Sequence, residues 1–175
     1  MAETYTPLFT PPEKRDEPAL WFAFRKSEIV VVNGDGRPDL PCCMDLSEHG
    51  VSAERHQYLG LYDGKHCYAA AIHESQALPG GWATLGLRDL FGMVETTLAA
   101  LSGRAYQLLE WDRNHQYCSR CGTRTELRTD ERSRKCPNCG YTSYPPVSPA
   151  IMILITHGKK LLLARKPAFP AGCGA

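Results

Sequence analysis

The stretch CSRCGTRTELRTDERSRKCPNCG, residues 118–140, contains two CxxC pairs and decides the centre of the fold. The pairs are Cys118 with Cys121 and Cys136 with Cys139, and fourteen residues separate them. The two thiolates of a pair can face one metal ion, and a short β-hairpin between the pairs would bring all four sulfurs into a tetrahedron. The alternative is four free or disulfide-bonded cysteines, but paired CxxC motifs at this separation favour zinc. We therefore predict a zinc ribbon whose ion is structural, because four protein ligands leave no position for water.

The remaining composition is that of a globular protein in a reducing compartment. Of the 175 residues 43% are hydrophobic and 22% are charged. No apolar run reaches the roughly 20 residues of a membrane-spanning helix, and the first residues do not have the pattern of a signal peptide. The other cysteines, Cys42, Cys43, Cys67 and Cys173, lack the spacing of a disulfide framework. We interpret them as buried or incidental thiols and expect a cytoplasmic protein without a membrane partner.

Charge is distributed unevenly along the chain. Residues 1–131 hold all 19 Asp and Glu against 13 Lys and Arg, a balance of −6, whereas residues 132–175 hold seven Lys and Arg and no carboxylate. The two parts add to the overall net charge of +1. A basic segment of this kind is compatible with binding of nucleic acid or phosphate. The interpretation we favour is that Arg132, Arg134 and Lys135 form a solvated hairpin edge.

The pattern of turns, prolines and apolar runs divides the chain into four segments. We predict a loose leader over residues 1–18, an N-terminal α/β domain over 19–114, the ribbon over 115–145, and the start of a further domain over 146–175. The predicted fold class of the whole chain is α+β.

Within the N-terminal domain the sequence predicts two hairpins followed by two helices. The hairpins are EIVVVNGDGRPDLP, residues 28–41, and QYLGLYDGKHCYAAAI, residues 57–72, each with a glycine-containing turn. Apolar residues recur at helical spacing from residue 87 to residue 101, and Gly103 follows as a stop signal. A second helix is predicted from residue 104 to residue 114.

Taken together, these segments resemble the NADH pyrophosphatase (NAD diphosphatase) branch of the Nudix hydrolases. The resemblance rests on the junction WDRNHQYCSRCG at 111–122, the four-cysteine ribbon, and YPPVSPAIMILI at 144–155 followed by LLLAR at 161–165, and it is strongest over residues 88–170. It implies that the hairpin predicted in AIMILITHGKKLLLAR, residues 150–165, is the first β-hairpin of a Nudix α/β/α sandwich.

The resemblance also implies an activity and its partners. A family member hydrolyses the diphosphate bond of NADH or NAD to nicotinamide mononucleotide and AMP, with Mg²⁺ or Mn²⁺. It forms a homodimer, and NAD-capped RNA is a plausible further substrate. The catalytic signature of the family, a glycine and glutamate followed by an R-E-x-x-E-E-x-G helix, is absent from this sequence, and no Asp or Glu follows Glu131. Since such ions need clustered carboxylates, we expect a truncated chain that is inactive alone.

Three residues match positions that contact the dinucleotide in the resembling family. They are Arg88 in LGLRDL, Glu131 in TDERSRKC and Tyr144 in SYPP. An arginine suits phosphate or a ligand of the partner subunit, a glutamate can accept hydrogen bonds from ribose hydroxyls, and a tyrosine offers an aromatic face or a hydroxyl. The alternatives are a charged helix start, a solvated carboxylate and an aromatic ring packed on prolines.

Two other functions stay open on the sequence alone. A zinc ribbon without catalysis could bind nucleic acid, with Arg132, Arg134 and Lys135 on phosphates and Tyr141 and Tyr144 as stacking surfaces. The chain could also be a dimerisation module that uses the predicted helix over 87–101.

Overall fold

The computed structural model describes residues 4–34, 37–151 and 153–163, and over these residues it contains three β-sheets and one α-helix. The strands are β1 Tyr5–Pro7, β2 Ala19–Arg25, β3 Glu28–Asn33, β4 Pro38–Asp39, β5 Cys42–Cys43, β6 Ala53–Tyr62, β7 Lys65–Ile72, β8 Trp82–Gly86, β9 Glu126–Leu127, β10 Arg134–Lys135, β11 Thr142–Ser143, β12 Thr156–His157 and β13 Lys160–Leu161. Helix α1 spans Thr96–Asn114, and a 3-10 helix spans Leu46–His49. This is the α+β class that the sequence predicts.

The large sheet has the strand order β1-β6-β7-β2-β3-β4, with β5 also paired to β2 and β8 to β3. Strands β2 and β7 are parallel, and the other pairs in this sheet are antiparallel. Six of the seven residues of β2 are buried, so both of its faces are covered. Phe22 and Phe24 point into the core under α1, whereas Trp21 and Ala23 point into a second core beside the 3-10 helix. The sheet therefore lies between α1 and the segment around residues 43–51.

Both predicted hairpins of the N-terminal domain are present. Strands β3 and β4 are antiparallel neighbours, and so are β6 and β7. At the β6–β7 turn Asp63 has φ 49° and Gly64 has φ 79°. Positive φ at both central residues is the geometry of a type I′ turn, whose twist matches that of the flanking strands.

The prediction of two separate helices over 87–101 and 104–114 is wrong in its break at Gly103 and in its start at residue 87, because a single helix, α1, runs from Thr96 to Asn114; helical structure over 104–114 and its end at Asn114 are confirmed. Residues 87–95 form successive turns, and Gly92 at φ 86° interrupts any helix there. The helix begins after Glu95, whose carboxylate accepts hydrogen bonds from the backbone N–H groups of Thr97 at 2.7 Å and Leu98 at 3.1 Å. Apolar residues recur every three to four positions in consecutive turns as they do in a helix, so the spacing alone misled the prediction.

The prediction of a loose leader over residues 1–18 is wrong for β1. Residues 5–7 pair antiparallel with β6, in register from Tyr5 with Tyr62 to Pro7 with Gly60. The Tyr5 hydroxyl also donates to the carbonyl of Leu59 at 2.6 Å. A proline is tolerated here because β1 is an edge strand, which needs donors on one side only.

The hairpin predicted after the ribbon is present as the short pair β12–β13, with a turn at Gly158. Large apolar side chains around it are exposed to between 51% and 81%; they are Ile151, Ile153, Leu154, Ile155, Leu161, Leu162 and Leu163. Cys173 and the last residues of the hairpin predicted over 150–165 lie outside the described residues. In the described part of the chain, α1 does not have the length and apolarity that crossing a bilayer requires.

Candidate functional site

The structure brings the four predicted zinc ligands together. The Sγ atoms of Cys118 and Cys139 lie 3.5 Å apart, as do those of Cys121 and Cys136, and all four lie within 4.8 Å of one another. A tetrahedral zinc ion with Zn–S bonds of about 2.3 Å separates its sulfurs by roughly 3.8 Å. The spacing and the all-sulfur donor set therefore fit a structural zinc ion held by protein alone.

The two knuckles repeat one backbone arrangement. In each, the glycine after the second cysteine donates its N–H to the carbonyl of the first, from Gly122 to Cys118 at 2.9 Å and from Gly140 to Cys136 at 3.0 Å. Both glycines have positive φ, 73° and 72°. That conformation is strained for other residues, so a glycine after each CxxC pair is what the tight turn requires.

The surroundings of the first knuckle favour thiolates. Hydrogen bonds with the side chain and the backbone of Thr123 lower the pKa of Cys121 to about 6. Burial opposes ionisation of Cys118, but backbone hydrogen bonds from Arg120 and Cys121 outweigh it and lower the pKa of that thiol. The thiolate is the form that binds metal, so both lowered pKa values favour zinc binding by the first knuckle.

Glu131 and Tyr144, two of the three predicted substrate residues, contact each other. The Tyr144 hydroxyl donates to the Glu131 carboxylate, at 3.2 Å from Oε1 and 3.4 Å from Oε2. Ser133 Oγ donates to Glu131 Oε1 at 2.8 Å, and the Arg128 guanidinium lies 3.5 Å from the same oxygen. The Glu131 charge raises the pKa of the Tyr144 phenol, so the hydroxyl keeps its proton. Tyr144 remains 56% exposed, which leaves its ring open to a ligand.

Arg88, the third predicted residue, belongs to a different segment of the chain from this pair. It belongs to the turns between β8 and α1, and its side chain is exposed. Among the described residues, neither a hydrogen bond nor an ion pair joins the Arg88 side chain to Glu131 or Tyr144. Its role therefore stays a prediction.

A buried ion pair between the ribbon and α1 escaped the sequence analysis. The Arg134 guanidinium pairs with the Asp112 carboxylate, and their side chains are only 8% and 6% exposed. Arg134 also donates from Nε to Thr125 Oγ1 at 2.9 Å and from Nη2 to the Thr125 carbonyl at 3.0 Å. One signal was available, because Asp112 lies four residues after Leu108 and so on the apolar side of α1.

The prediction of a solvated hairpin edge is therefore wrong for two of its three cations. Arg134 is buried in the pair just described. Arg132 donates from Nη2 to the carbonyls of Tyr58 at 2.9 Å and Leu8 at 3.1 Å, and its guanidinium packs on the Phe9 ring. Lys135 is exposed, as predicted. Both arginines connect the ribbon to the N-terminal domain, so they are not free for phosphate contacts.

A groove of about 650 Å³ adjoins the Glu131–Tyr144 pair. Its walls come from the second half of α1, from the leader and from the residues after β11; they include Phe9, Arg104, Trp111, Arg132, Tyr144 and Pro145. Aromatic rings and Arg104 give this groove the composition of a nucleotide-binding surface, while the Arg132 guanidinium is already engaged by the Tyr58 and Leu8 carbonyls.

The buried cysteines outside the ribbon are not nucleophiles. Burial raises the pKa of Cys67 to about 12 and, with nearby carboxylates, that of Cys43 to about 11. Both thiols are therefore protonated at neutral pH as long as no metal displaces the proton.

Comparison with protein families places two domains on these elements. A model of the NADH pyrophosphatase-like rudimentary NUDIX domain matches residues 18–111. A model of the NADH pyrophosphatase zinc ribbon domain matches residues 113–144. The first match covers the large sheet except β1, together with most of α1, and the second covers the four-cysteine cluster.

Curated relatives are named NAD-capped RNA hydrolase NudC. The protein of Pseudomonas aeruginosa strain LESB58 is 36% identical over 137 residues, which are 78% of this chain and 45% of that protein. For Pseudomonas fluorescens Pf0-1 the identity is 32% over 90% of this chain and 56% of the relative. The relative from Deinococcus radiodurans is 32% identical, and the match covers 85% of this chain and 51% of the relative. This chain thus spans about half the length of the curated relatives it matches.

Proposed function

We propose, from the premise that this chain belongs to the NADH pyrophosphatase-like NUDIX family, that its residues serve hydrolysis of the diphosphate bond of NADH or NAD, giving nicotinamide mononucleotide and AMP. NAD-capped RNA is the further substrate that the names of the curated relatives support. In this proposal the described residues bind the dinucleotide beside the ribbon.

The observation that carries the proposal is the contact between Glu131 and Tyr144. Arg128 and Ser133 hold the carboxylate in place, so it is oriented before a ligand arrives. In the proposal the Glu131 carboxylate accepts a hydrogen bond from a ribose hydroxyl, and the exposed Tyr144 ring packs on a base or nicotinamide ring. Zinc contributes by fixing the loop between the knuckles, on which Glu131 lies.

Hydrolysis needs Mg²⁺ or Mn²⁺ on clustered oxygen ligands, and the described residues do not supply such a set. In residues 4–34, 37–151 and 153–163, the groups with ligand spacing are the four ribbon cysteines and the set of Cys43, Glu48 and His49. Neither is an all-oxygen site. We therefore assign no catalytic step to these residues, and we propose that the 175-residue polypeptide binds NADH without turning it over.

Titration calorimetry with NADH tests the binding, and Glu131→Gln and Tyr144→Phe are the informative variants. A hydrogen bond to a charged group contributes about 1.5–3 kcal/mol, so Glu131→Gln should weaken binding by about tenfold or more. Glu126→Gln is the matched control, because this exposed carboxylate on β9 lies in the same ribbon but outside the pair. Equal affinities for wild type, Glu131→Gln and Tyr144→Phe would contradict the assigned site.

A hydrolysis assay with NADH and Mn²⁺ tests the second half of the proposal. Mononucleotide and AMP should not accumulate above the rate of a no-protein control. Product formation proportional to polypeptide concentration, and retained through purification, would refute the proposed lack of turnover while leaving the binding site intact.

The proposal includes a cytoplasmic homodimer. No disulfide joins the seven cysteines of the described residues, which suits a reducing compartment. Phe91 and Met93 are 56% and 47% exposed in the turns that also carry Arg88, so this segment offers an apolar contact from which Arg88 could reach a ligand of the partner subunit. Sedimentation equilibrium should give twice the chain mass, and Phe91→Glu should lower it to the monomer mass. A monomeric wild type would exclude this arrangement.

A further inference from the structure

Three side chains of different chemistry converge on the face of the large sheet opposite α1. They are Cys43 of β5 with Glu48 and His49 of the 3-10 helix, and their thiol, carboxylate and imidazole ligand atoms all lie within 4.8 Å of one another. This cluster is separate from the ribbon and has no part in the proposed dinucleotide site.

The backbone that carries the three side chains is held firmly. Cys43 pairs with Ala19 of β2, and its carbonyl accepts a hydrogen bond from Trp21 Nε1 at 3.1 Å. The Asp45 carboxylate caps the 3-10 helix by accepting from the Ser47 N–H at 2.8 Å. Leu46, only 1% exposed, anchors the same helix in the core. The relative position of the ligands is thus set by β-sheet pairing and packing, and a metal would need only side-chain rotation.

We propose that Cys43, Glu48 and His49 form a second zinc site, with water in the fourth position. On binding, zinc would displace the proton of the buried Cys43 thiol. A thiolate, an imidazole and a carboxylate together suit Zn²⁺, whereas Mg²⁺ and Ca²⁺ select oxygen ligands. Zinc bonds of about 2.0–2.3 Å place tetrahedral ligand atoms roughly 3.3–3.8 Å apart, so no two ligand atoms of the cluster need to approach by more than about 1.5 Å. Cys43 is buried while Glu48 and His49 are exposed, so the ion can enter from solvent.

The site would differ from the ribbon in affinity and in effect. Its open position and its two exposed ligands predict weaker and more readily exchanged zinc than in the four-cysteine cluster. Bound zinc would join the 3-10 helix to β5, because the ligands come from both elements.

Zinc stoichiometry tests the inference. The full 175-residue chain is dialysed against buffered micromolar Zn²⁺ and analysed by plasma mass spectrometry. We expect two zinc ions per wild-type chain and one in Cys43→Ser and in His49→Gln. The matched control is Cys42→Ser, which removes the exposed neighbouring thiol outside the cluster and should keep two ions.

Cobalt substitution supplies a second readout. Replacing zinc with Co²⁺ should give thiolate-to-cobalt absorption from both sites, and Cys43→Ser should remove the weaker, chelator-sensitive part. Circular dichroism establishes that each variant is folded. If Cys43→Ser does not fold, His49→Gln replaces it as the test variant, because the His49 side chain is exposed. One zinc per wild-type chain, or two ions retained in His49→Gln, would overturn the proposal.

Discussion

At the residue scale, the Arg134–Asp112 pair shows how the ribbon is fixed to the N-terminal domain. Both side chains are nearly excluded from solvent, and Arg134 fills its remaining hydrogen bonds on Thr125. Such a pair is costly to break, because the surviving charge stays buried without its partner. We infer that the pair favours one docking geometry between the ribbon and α1.

We expect Asp112→Ala to lower the free energy of unfolding by about 3–5 kcal/mol, because the Arg134 guanidinium would lose its carboxylate inside the protein. Urea unfolding followed by circular dichroism measures the loss. Arg113→Ala is the control, since Arg113 pairs with Glu110 on the exposed face of α1 and should change stability by less than about 0.5 kcal/mol. The interpretation fails if the two variants are equally stable.

The cap residue Glu95 predicts a pH dependence at the start of α1. Burial opposes its ionisation, but the N–H groups of Leu98 and Thr97 outweigh this and lower the pKa of the carboxyl group. The stability that the ionised Glu95 cap gives to the folded protein is therefore complete above the unfolded pKa of about 4.3. It is lost as the pH falls through the lower pKa of the folded state. The protection factors of the Thr97 and Leu98 amides, which are corrected for the intrinsic pH dependence of exchange, should fall on acidification in wild type, whereas they should be low at every pH in Glu95→Ala. A wild-type profile as flat as that of the variant would contradict this role.

At the element scale, two glycines should respond to alanine in opposite directions. Gly60 has φ 120°, and a Cβ atom there would lie 2.2 Å from the Thr6 carbonyl oxygen of β1. Gly103 lies inside α1 with open space around the Cβ position. We expect Gly60→Ala to destabilise the protein by more than about 1 kcal/mol and to detach β1, and Gly103→Ala to stabilise it by about 1 kcal/mol.

In thermal unfolding, the melting temperature should fall for Gly60→Ala and rise for Gly103→Ala. Limited proteolysis of the first residues reports whether β1 has detached. A Gly60→Ala protein as stable as wild type, with a protected N-terminus, would show that β1 tolerates the added methyl group.

Local elements were predictable where local chemistry decides them. Turn residues such as Asp63 and Gly64, and the paired CxxC motifs, encode their own geometry, so the hairpins and the knuckles were correct. The start of α1 was not, because successive turns imitate helical spacing. The parallel pairing of β2 with β7, the pairing of β1 and the burial of Arg134 depend on residues far apart in the sequence. No local pattern encodes these contacts.

At the scale of the whole molecule, the ribbon and the N-terminal domain support each other. The Trp111 indole donates to Ser143 Oγ at 3.4 Å, and Thr10 Oγ1 donates to the Thr129 carbonyl at 3.0 Å. With Arg132 and Arg134, these contacts attach the ribbon to α1 and to the leader. Loss of the ribbon metal should therefore also destabilise the elements that the ribbon contacts.

We expect zinc removal by a chelator to raise hydrogen exchange over residues 118–143 and in the last turns of α1, while β2 and β7 stay protected. Metal binding contributes folding free energy to a ribbon, and its loss frees the groups that hold the C-terminal end of α1. Hydrogen exchange is measured by mass spectrometry on His49→Gln, which lacks a ligand of the proposed second zinc site. Any change in exchange then comes from the four-cysteine site. Unchanged protection in the ribbon would contradict a structural role for the metal.

The pairing of β1 with β6 has a consequence for synthesis on the ribosome. Tyr5 is translated well before its partner Tyr62. Until then the first strand has no neighbour, and the growing chain cannot close this edge of its sheet. We expect β1 to join last within the N-terminal domain, after β6 and β7 have formed their hairpin. A bulky N-terminal fusion would then interfere with completing the domain rather than with starting it.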